Sequence, residues 1–364
     1  MLKVLHYVSI MDRAGEETFI MNVFRTIDRS QFMFDFLVTE DREGEYDREI
    51  NELGGIVRHI QMIKHGGSLK RFKNFILLYR YLRPLHKNYT TFHIHTQHAM
   101  DAMLDAMAAK LAGFRTVVVH SHSTSTLHHV RAHHICRPFL NYLPIVRLAC
   151  GKKAGQWLYG ENGKFEIINN GIVTDKFLFN PEVRTEIRQK EGWGKETIIG
   201  HVGNFTHPKN HSFLLDIFAH FLVYQPDSLL VMAGKGELMD PIKAKADYLC
   251  ICDHVIFLGS RSDVNRLYSA FDALLFPSLF EGLPVTLVEA QAADLPCLIS
   301  DSITTETDIN PNLKRMSLNK SANEWAMELD RLLSEKGRID RSEKIIESGY
   351  DIEITSKRLS EIYQ

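Results

Sequence analysis

The sequence predicts an α/β protein built from two consecutive doubly wound domains, each containing a parallel sheet. Length is the first reason, since the chain has 364 residues and one hydrophobic core rarely serves more than about 250–300. The second reason is the hydrophobic pattern, because β-rich apolar runs alternate with helically spaced segments in both halves. Repeated strand–helix units of this kind imply crossover connections and therefore parallel strands. We place the domains at 1–172 and 173–348, with a last helix at about 349–364 that can return to the first domain.

The first half contains five predicted strands and three predicted helices. Apolar runs predict strands at 3–10, 33–38, 56–60, 91–95 and 116–120, and helical spacing predicts helices at 18–26, 70–82 and 99–112. The second helix should end before Pro84, because a proline disfavours helical backbone in the residue before it. Gly113 should end the third helix, because glycine readily adopts the left-handed backbone found just after a helix.

The second half repeats this alternation. It predicts strands at 197–202, 228–233, 255–258, 273–276 and 296–300, and helices at 212–224, 263–270 and 284–293, with Asp263 as an N-cap. Ligands of open α/β sheets bind outside the carboxyl ends of the strands. We therefore expect the site in a cleft between two facing domains.

Composition excludes several classes of protein. The net charge of −2 lacks the basic surplus of a nucleic-acid binder. The five cysteines have no paired spacing that suggests a disulfide framework or a zinc site. Neither a signal peptide nor an apolar run of about 20 residues occurs. We expect a cytoplasmic protein that can touch the inner face of a membrane.

The segment from Phe276 to Pro284 is the strongest candidate for a binding loop. It follows a strand and opens a helix, and Pro284 suits a first helical position. The free N–H groups there favour an anion such as a diphosphate. Glu289, within the helix, can accept two hydrogen bonds from a vicinal diol such as ribose. Alternatively, Glu289 is a solvated helix residue and Glu281 is an N-terminal cap.

Two further loops of the second half carry candidate ligand contacts. The loop at 200–210 offers Lys209 as a point charge for phosphate, unless this is an ordinary exposed lysine. The segment from Phe257 to Val264 contains Gly259, where the backbone can approach a flat ring closely.

The first half offers weaker signals. The loop from Met11 to Thr18 resembles a degraded glycine-rich phosphate loop, but it lacks G-x-G-x-x-G. His122, at the end of a strand, could bond a substrate hydroxyl or transfer a proton. Histidines are dense in this part of the sequence, which contains His120, His122, His128, His129, His133 and His134. No carboxylate or cysteine pattern accompanies them, so we expect a polar loop after His122 and no metal.

These segments resemble the retaining GT-B glycosyltransferases of family 4, particularly its polysaccharide-synthesising members. The resemblance covers nearly the whole chain and is most specific in E-x7-E, from Glu281 to Glu289. The supporting motifs are V-G-N-F-T-H-P-K-N-H (202–211), F-L-G-S-R-S-D-V (257–264), I-N-N-G-I (168–172) and G-E-E-T-F-I-M-N (15–22).

The resemblance implies a role for each matched residue. Glu289 would hold the donor ribose, and Glu281 the sugar hydroxyls near the reacting carbon. Lys209 would meet the diphosphate together with the backbone of Gly282, Leu283 and Pro284. The base would be framed by Gly259, Ser260 and Arg261. In the first domain, Gly15 would let its loop approach the donor phosphates or the acceptor. His122, or as the second choice His120, would be the active-site histidine.

The implied reaction moves a sugar from a nucleoside diphosphate, UDP by family frequency, to a glycan or lipid-linked acceptor. Retention at the anomeric carbon would need neither metal nor cofactor. The family usually has arginine where this chain has Asn204, which removes one phosphate-binding cation. Two alternatives remain: a sugar-nucleotide epimerase of similar fold, and a catalytically silent partner subunit of a transferase.

The segment from Lys64 to Lys87 predicts a basic amphipathic helix. Such a helix can lie on an anionic membrane and bring the enzyme to a lipid-linked acceptor. It could equally pack its apolar side on the sheet as an ordinary outer helix.

Overall fold

A computed structural model describes residues 1–63, 68–124, 130–334 and 337–364. The chain forms two compact units, one of Met1–Gly171 with Asp351–Gln364 and one of Ile172–Tyr350. In the described part of the chain, no helix combines the length and the apolar character needed to cross a membrane.

The first unit alternates strands and helices from the start. Its elements are β1 (Leu2–Val8), α1 (Gly15–Thr26), β2 (Phe32–Val38), α2 (Asp47–Glu52), β3 (Val57–His59), α3 (Ser68–Leu85), β4 (Thr91–Thr96), α4 (Ala99–Ala112), β5 (Thr116–Ser121), α5 (Val130–Tyr142), β6 (Val146–Ala149), α6 (Lys152–Tyr159) and β7 (Glu166–Ile167). All neighbouring strands are parallel, in the order β3-β2-β1-β4-β5-β6-β7.

The second unit has the same plan. Its elements are α7 (Thr174–Phe177), α8 (Pro181–Glu191), β8 (Thr197–Val202), α9 (His211–Tyr224), β9 (Ser228–Ala233), α10 (Met239–Tyr248), β10 (Val255–Gly259), α11 (Val264–Ala270), β11 (Ala273–Phe276), α12 (Val285–Ala292), β12 (Cys297–Ser300), β13 (Leu313–Met316), α13 (Ala322–Leu333) and α14 (Ser342–Glu347). The parallel sheet has the order β10-β9-β8-β11-β12-β13.

The last helix, α15 (Ile352–Tyr363), belongs to the first unit and packs on α1. Its terminal Tyr363 is almost completely buried. The predicted fold class, two Rossmann-like parallel-sheet domains, is confirmed.

Strand order locates the ligand-binding edge of each sheet. The order reverses direction between β1 and β4 in the first sheet and between β8 and β11 in the second. Loops that leave two such neighbouring strands run to opposite faces and open a crevice at the carboxyl ends. The loops after β8 and β11 therefore adjoin each other, as do those after β1 and β4.

Some local predictions are wrong for identifiable reasons. Helix α3 runs through Pro84 to Leu85, because a proline in the last turn removes only one hydrogen bond of the helix. Helix α5 includes His133 and His134, where we expected a polar loop, while 125–129 lie outside the described residues. Short strands such as β6 and β7 carry too few residues for a clear alternation.

Candidate active site

A lysine–glutamate pair lies at the switch point of the second sheet. Lys209 follows β8, Glu281 follows β11, and Lys209 Nζ is 2.8 Å from Glu281 Oε1. The same Nζ lies 4.7 Å from the ring centroid of Phe276, the last residue of β11. Both charged side chains are largely buried, so their attraction is less screened than at a surface.

Hydrogen bonds between the two loops fix this pair. Asn210 Nδ2 donates to the carbonyl of Pro277 at 3.1 Å, and the N–H of Leu279 donates to the carbonyl of Pro208 at 2.8 Å. The loops therefore hold Lys209 and Glu281 together without a ligand. The alternatives of an exposed lysine and a capping Glu281 are wrong, since Glu281 makes no cap contact with α12.

Glu289 occupies the interior side of α12. Tyr268 Oη donates a hydrogen bond to Glu289 Oε2 at 2.8 Å. Burial raises the pKa of Glu289 from its usual 4.5 to about 7, against the opposing effect of the tyrosine. Because its carboxylate is held by the hydroxyl of a fully buried tyrosine, Glu289 is not a solvated helix residue, and that alternative is wrong. At neutral pH this carboxyl can accept a ligand hydroxyl and can also hold a proton.

The turn before α12 differs slightly from the prediction. Pro284 is the N-cap residue with extended backbone, and α12 begins at Val285, so Pro284 does not occupy the first helical position. An N-cap residue keeps non-helical backbone, which the fixed proline φ allows. Gly282 is partly exposed, whereas Leu283 and Pro284 are buried and anchor the turn.

The segment after β10 presents backbone rather than charge. Gly259 has a φ of +66°, and a Cβ there would meet nothing within 4 Å. Ser260 is exposed. Arg261 is engaged by Glu191 at 2.8 Å and by Asp263 at 2.7 Å, and these carboxylates raise its pKa. Asp263 does not cap α11 as predicted, because its carboxylate binds Arg261.

Asn204 and Gly15 are both exposed. Asn204 lies in the loop after β8, and its carbonyl accepts the N–H of Thr206. Gly15 is the first residue of α1 in the first unit, and space is open around it. Next to it, burial raises the pKa of Glu16 to about 8.

His122 follows β5 directly and belongs to a buried histidine array that the sequence analysis missed. His122 Nε2 lies 2.9 Å from His95 Nδ1, and His95 Nε2 lies 3.0 Å from His6 Nδ1. Burial lowers the pKa values of His6 and His122 to about 3. These imidazoles are therefore neutral at physiological pH. The array also includes His93 and His120.

A period-two signal could have revealed this array. His93 and His95 alternate on β4, His120 and His122 alternate at the end of β5, and side chains two residues apart share one face of a sheet. Among the described residues, His6, His93 and His95 form one group whose ligand atoms lie within 4.8 Å of one another. His95, His120 and His122 form a second such group.

Both units thus place polar side chains at the carboxyl ends of Rossmann-like sheets, which is the architecture of GT-B glycosyltransferases. Residues 183–352 match the family model described as "Glycosyl transferases group 1". The chain is 35% identical to EpsF of Bacillus subtilis (strain 168), a protein named as a glycosyltransferase, over 99% of this chain and 96% of EpsF. The chain belongs to this glycosyltransferase family.

Two further comparisons extend over the full chain. The capsular polysaccharide biosynthesis glycosyltransferase CapH of Staphylococcus aureus is 25% identical over 100% of this chain and 99% of CapH. The crystal structure of Anabaena HepE in complex with UDP and glucose superposes with a TM-score of 0.79 at 17% identity, covering 99% of both chains. At that identity the likeness to HepE concerns the fold.

Proposed function

We propose that this protein is a retaining, metal-independent glycosyltransferase that transfers a sugar from a nucleoside diphosphate, most favourably UDP, to a glycan or lipid-linked acceptor. Its place would be capsular, exopolysaccharide or other cell-surface glycan synthesis. The name of CapH supports this biosynthetic setting, and the UDP and glucose named with HepE support the donor.

The Lys209–Glu281 pair carries the proposal. Cleavage of the donor leaves negative charge on the departing diphosphate and positive character on the sugar. A cation and a carboxylate held 2.8 Å apart at the switch point can face these two charges. Lys209 would stabilise the diphosphate together with the N–H groups at the start of α12, and Glu281 would bind sugar hydroxyls.

The remaining donor contacts follow from the same edge of the sheet. Glu289 would accept hydrogen bonds from the ribose, and the open backbone at Gly259 would meet the base. Arg261 would contribute through its backbone, because two carboxylates hold its guanidinium. In the first unit, Gly15 would contact phosphate or acceptor, and His122 would contact the sugar.

A donor panel tests this function. Purified protein is incubated with UDP-, GDP- and ADP-sugars, and release of nucleoside diphosphate is measured with and without lipid-linked acceptors. One donor should be consumed, and Lys209→Ala and Glu281→Ala should each lower turnover by about 100-fold or more. Lys245→Ala is the matched control, since Lys245 pairs with Asp216 on α9.

The outcome also separates the alternatives. Isomerisation of a free sugar nucleotide without transfer would identify an epimerase. Wild-type protein that binds UDP but releases nothing from any donor would contradict the proposal. That result would favour the silent partner subunit, for which Asn204 is the motivating residue.

We further propose peripheral membrane contact in the cytoplasm through the segment from Lys64 to Lys87. Lys64 lies outside the described residues, while α3 buries Leu78 and Leu82 and exposes its basic side. The exposed residues of α3 include Phe72, Lys73, Arg80 and Arg83, and Lys87 in the turn after the helix is exposed as well. Helix α5, which also packs on α4, exposes an apolar stripe of Ile135, Phe139 and Tyr142. Basic and apolar exposed side chains together suit an anionic bilayer surface.

Liposome co-sedimentation tests this contact. Binding should require anionic lipid and should fall several-fold in Lys73→Glu and Arg80→Glu, whereas Lys195→Glu in the second unit serves as the charge-matched control. Equal binding to neutral and anionic vesicles would contradict a membrane role for this segment.

A further inference from the structure

Tyr268 and Glu289 form a hydrogen-bonded pair inside the second unit. Tyr268 lies on α11 and Glu289 on α12, and Tyr268 Oη is 2.8 Å from Glu289 Oε2. Tyr268 is completely buried, whereas Glu289 is partly exposed. The tyrosine is therefore a fixed partner held within the core, and the glutamate can still be reached from outside it.

The hydroxyl of Tyr268 is the donor in this contact when Glu289 is ionised. Burial raises the pKa of the Tyr268 phenol well above its ordinary value, and the neighbouring Glu289 raises it further. The phenol therefore keeps its hydrogen at physiological pH, and an ionised carboxylate can only accept. The result is a charge-assisted hydrogen bond, which is stronger than a bond between neutral groups.

The carboxylate of Glu289 retains room for a diol. A carboxylate offers about four lone-pair sites, two on each oxygen. Among the described residues, the Tyr268 hydroxyl is the one hydrogen-bond donor to this carboxylate, and it uses one site on Oε2. Both sites of Oε1 and one site of Oε2 are left, which is enough for the two vicinal hydroxyls of a ribose.

The surroundings of Glu289 leave its charge to burial and to Tyr268. The elements packed on α12 include α7, α11, α14 and β12. The charged side chains of α7 and α14 are all exposed, namely Asp175, Lys176, Glu343, Lys344 and Glu347. Arg266 on α11 is bound to Glu186, and burial raises the pKa of the Cys297 thiol on β12, which stays neutral. Burial raises the pKa of Glu289, and the hydrogen bond from Tyr268 opposes that rise.

We propose that Tyr268 is a positioning residue that keeps Glu289 ionised and oriented, so that the carboxylate accepts the two ribose hydroxyls of a nucleoside diphosphate donor. The ribose as ligand rests on the proposed function, whereas the coupling between the two side chains does not. Tyr268 itself touches no ligand, because it is completely buried. A phenylalanine there would fill nearly the same volume but would leave the carboxylate without its donor.

A tyrosine with a merely structural role provides the matched control. Tyr159, in the first unit, is also buried, and its hydroxyl donates to the carbonyl of Val119 at 2.6 Å. That acceptor is a backbone oxygen with no charge to stabilise. Tyr159→Phe therefore removes a buried hydroxyl and its hydrogen bond, as Tyr268→Phe does, but leaves Glu289 untouched.

The titration of Glu289 can be followed without any donor. Full-length protein labelled with ¹³C at the glutamate carboxyls is titrated by NMR, and Glu289→Gln identifies the Glu289 signal. The wild-type midpoint is expected near 7. Tyr268→Phe should raise it by about 1–2 pH units, because one hydrogen bond to a charged group is lost, and Tyr159→Phe should leave it unchanged. An unchanged midpoint in Tyr268→Phe would overturn the proposal.

UDP binding then tests the consequence for the ligand. At pH 7, Tyr268→Phe should bind UDP about 5- to 50-fold more weakly than the wild type, because fewer molecules carry an ionised Glu289. At pH 9 the difference should shrink to about twofold or less. Equal losses at both pH values would refute the positioning role. A raised midpoint together with a wild type that binds no UDP would count against the proposed function alone.

A double variant covers the case in which Tyr268→Phe folds poorly. Glu289→Gln removes the charge, so Tyr268→Phe in that background no longer strands a buried carboxylate. The double variant should bind UDP as Glu289→Gln does, within about twofold, because Tyr268 acts through Glu289. A further loss of about tenfold or more would show that Tyr268 affects UDP binding independently of Glu289, and would overturn the proposal.

Discussion

At the residue scale, Glu289 is a buried carboxyl at the position that we propose for binding the donor ribose. Its raised pKa means that the folded protein binds a proton more tightly than the unfolded chain. The resulting stabilisation is complete below about pH 4.5 and is lost as the pH rises through about 7. The carboxylate form, which alone can accept two ribose hydroxyls, appears over the same interval. If Glu289 binds the ribose as proposed, stability and donor binding should change in opposite directions with pH.

Glu289→Gln should remove the pH dependence of both stability and UDP affinity. Between pH 5 and pH 8 the wild type should lose unfolding free energy relative to the variant, by an amount on the order of 3 kcal/mol. Urea denaturation at the two pH values measures this difference. Over the same range UDP affinity should rise in the wild type and remain low and flat in the variant. Parallel stability curves would show that Glu289 is not the titrating group.

Asn204 allows a gain-of-function test. Its side chain is exposed, so Asn204→Arg should fold normally and add a cation to the loop that carries Lys209. UDP affinity should increase by about 3- to 10-fold at low salt, and the gain should shrink as ionic strength rises. Asn204→Gln is the neutral control. Unchanged UDP affinity in the arginine variant would place Asn204 away from the phosphates.

At the element scale, the loop after β8 depends on a glycine in the loop after β9. A Cβ on Gly234 would lie 2.0 Å from the carbonyl oxygen of Gly203, which is backbone and cannot move independently. The close contact brings the loop of β9 against the loop that leads to Lys209. Only a residue without a side chain permits this approach.

Gly234→Ala should therefore lower stability by about 3 kcal/mol or more and weaken UDP binding through displacement of the β8 loop. Thermal denaturation and UDP titration measure the two effects. Gly194→Ala is the matched control, because its Cβ would meet only the flexible end of Glu196. Similar melting temperatures for the two variants would contradict the argument.

At the scale of the whole molecule, buried neutral histidines should make the fold sensitive to acid. Burial lowers the pKa of His120, and among the described residues neither ring nitrogen has a partner. A group whose folded pKa is lowered stabilises the protein above its ordinary pKa, here 6.5, and that contribution is lost as the pH falls. The other buried histidines of the array should likewise lower the stability of the protein as the pH falls.

His120→Leu should reduce this acid sensitivity. Below pH 6.5 the slope of the unfolding free energy against pH should become shallower by about 1.4 kcal/mol per pH unit, because the variant takes up one proton fewer when it unfolds. Urea titrations at pH 7.5, 6.0 and 5.0 measure the slope. Identical slopes would mean that His120 does not take up a proton on unfolding.

The last helix completes the core of the first unit. Tyr363 is 2% exposed, and its hydroxyl lies 2.8 Å from His93 Nδ1. Tyr363→Ala should cost about 3–5 kcal/mol, while Tyr363→Phe should cost about 1 kcal/mol. Chemical denaturation measures both, with the exposed Tyr142→Ala as control. A negligible cost for Tyr363→Ala would show that α15 is not part of the cooperative unit.

The sequence alone determined the features that depend on local pattern. Alternation of apolar runs predicted both sheets, and residue chemistry predicted individual helix ends, as for Gly113, which ends α4 with a left-handed φ of +105°. The order of motifs predicted one site that contains Lys209, Glu281 and Glu289, and this stays a prediction. These features can be predicted from the sequence because each depends on residues that lie close together along the chain.

Tertiary structure alone decided contacts between distant segments. The pairing of Lys209 with Glu281, the burial of Glu289 against Tyr268 and the histidine contacts from His6 to His122 require strands that are remote in sequence to lie side by side. Strand order sets these neighbours, and strand order depends on the packing of the whole sheet. For the same reason the pKa of Glu289 could not be read from its motif, since it is set by burial.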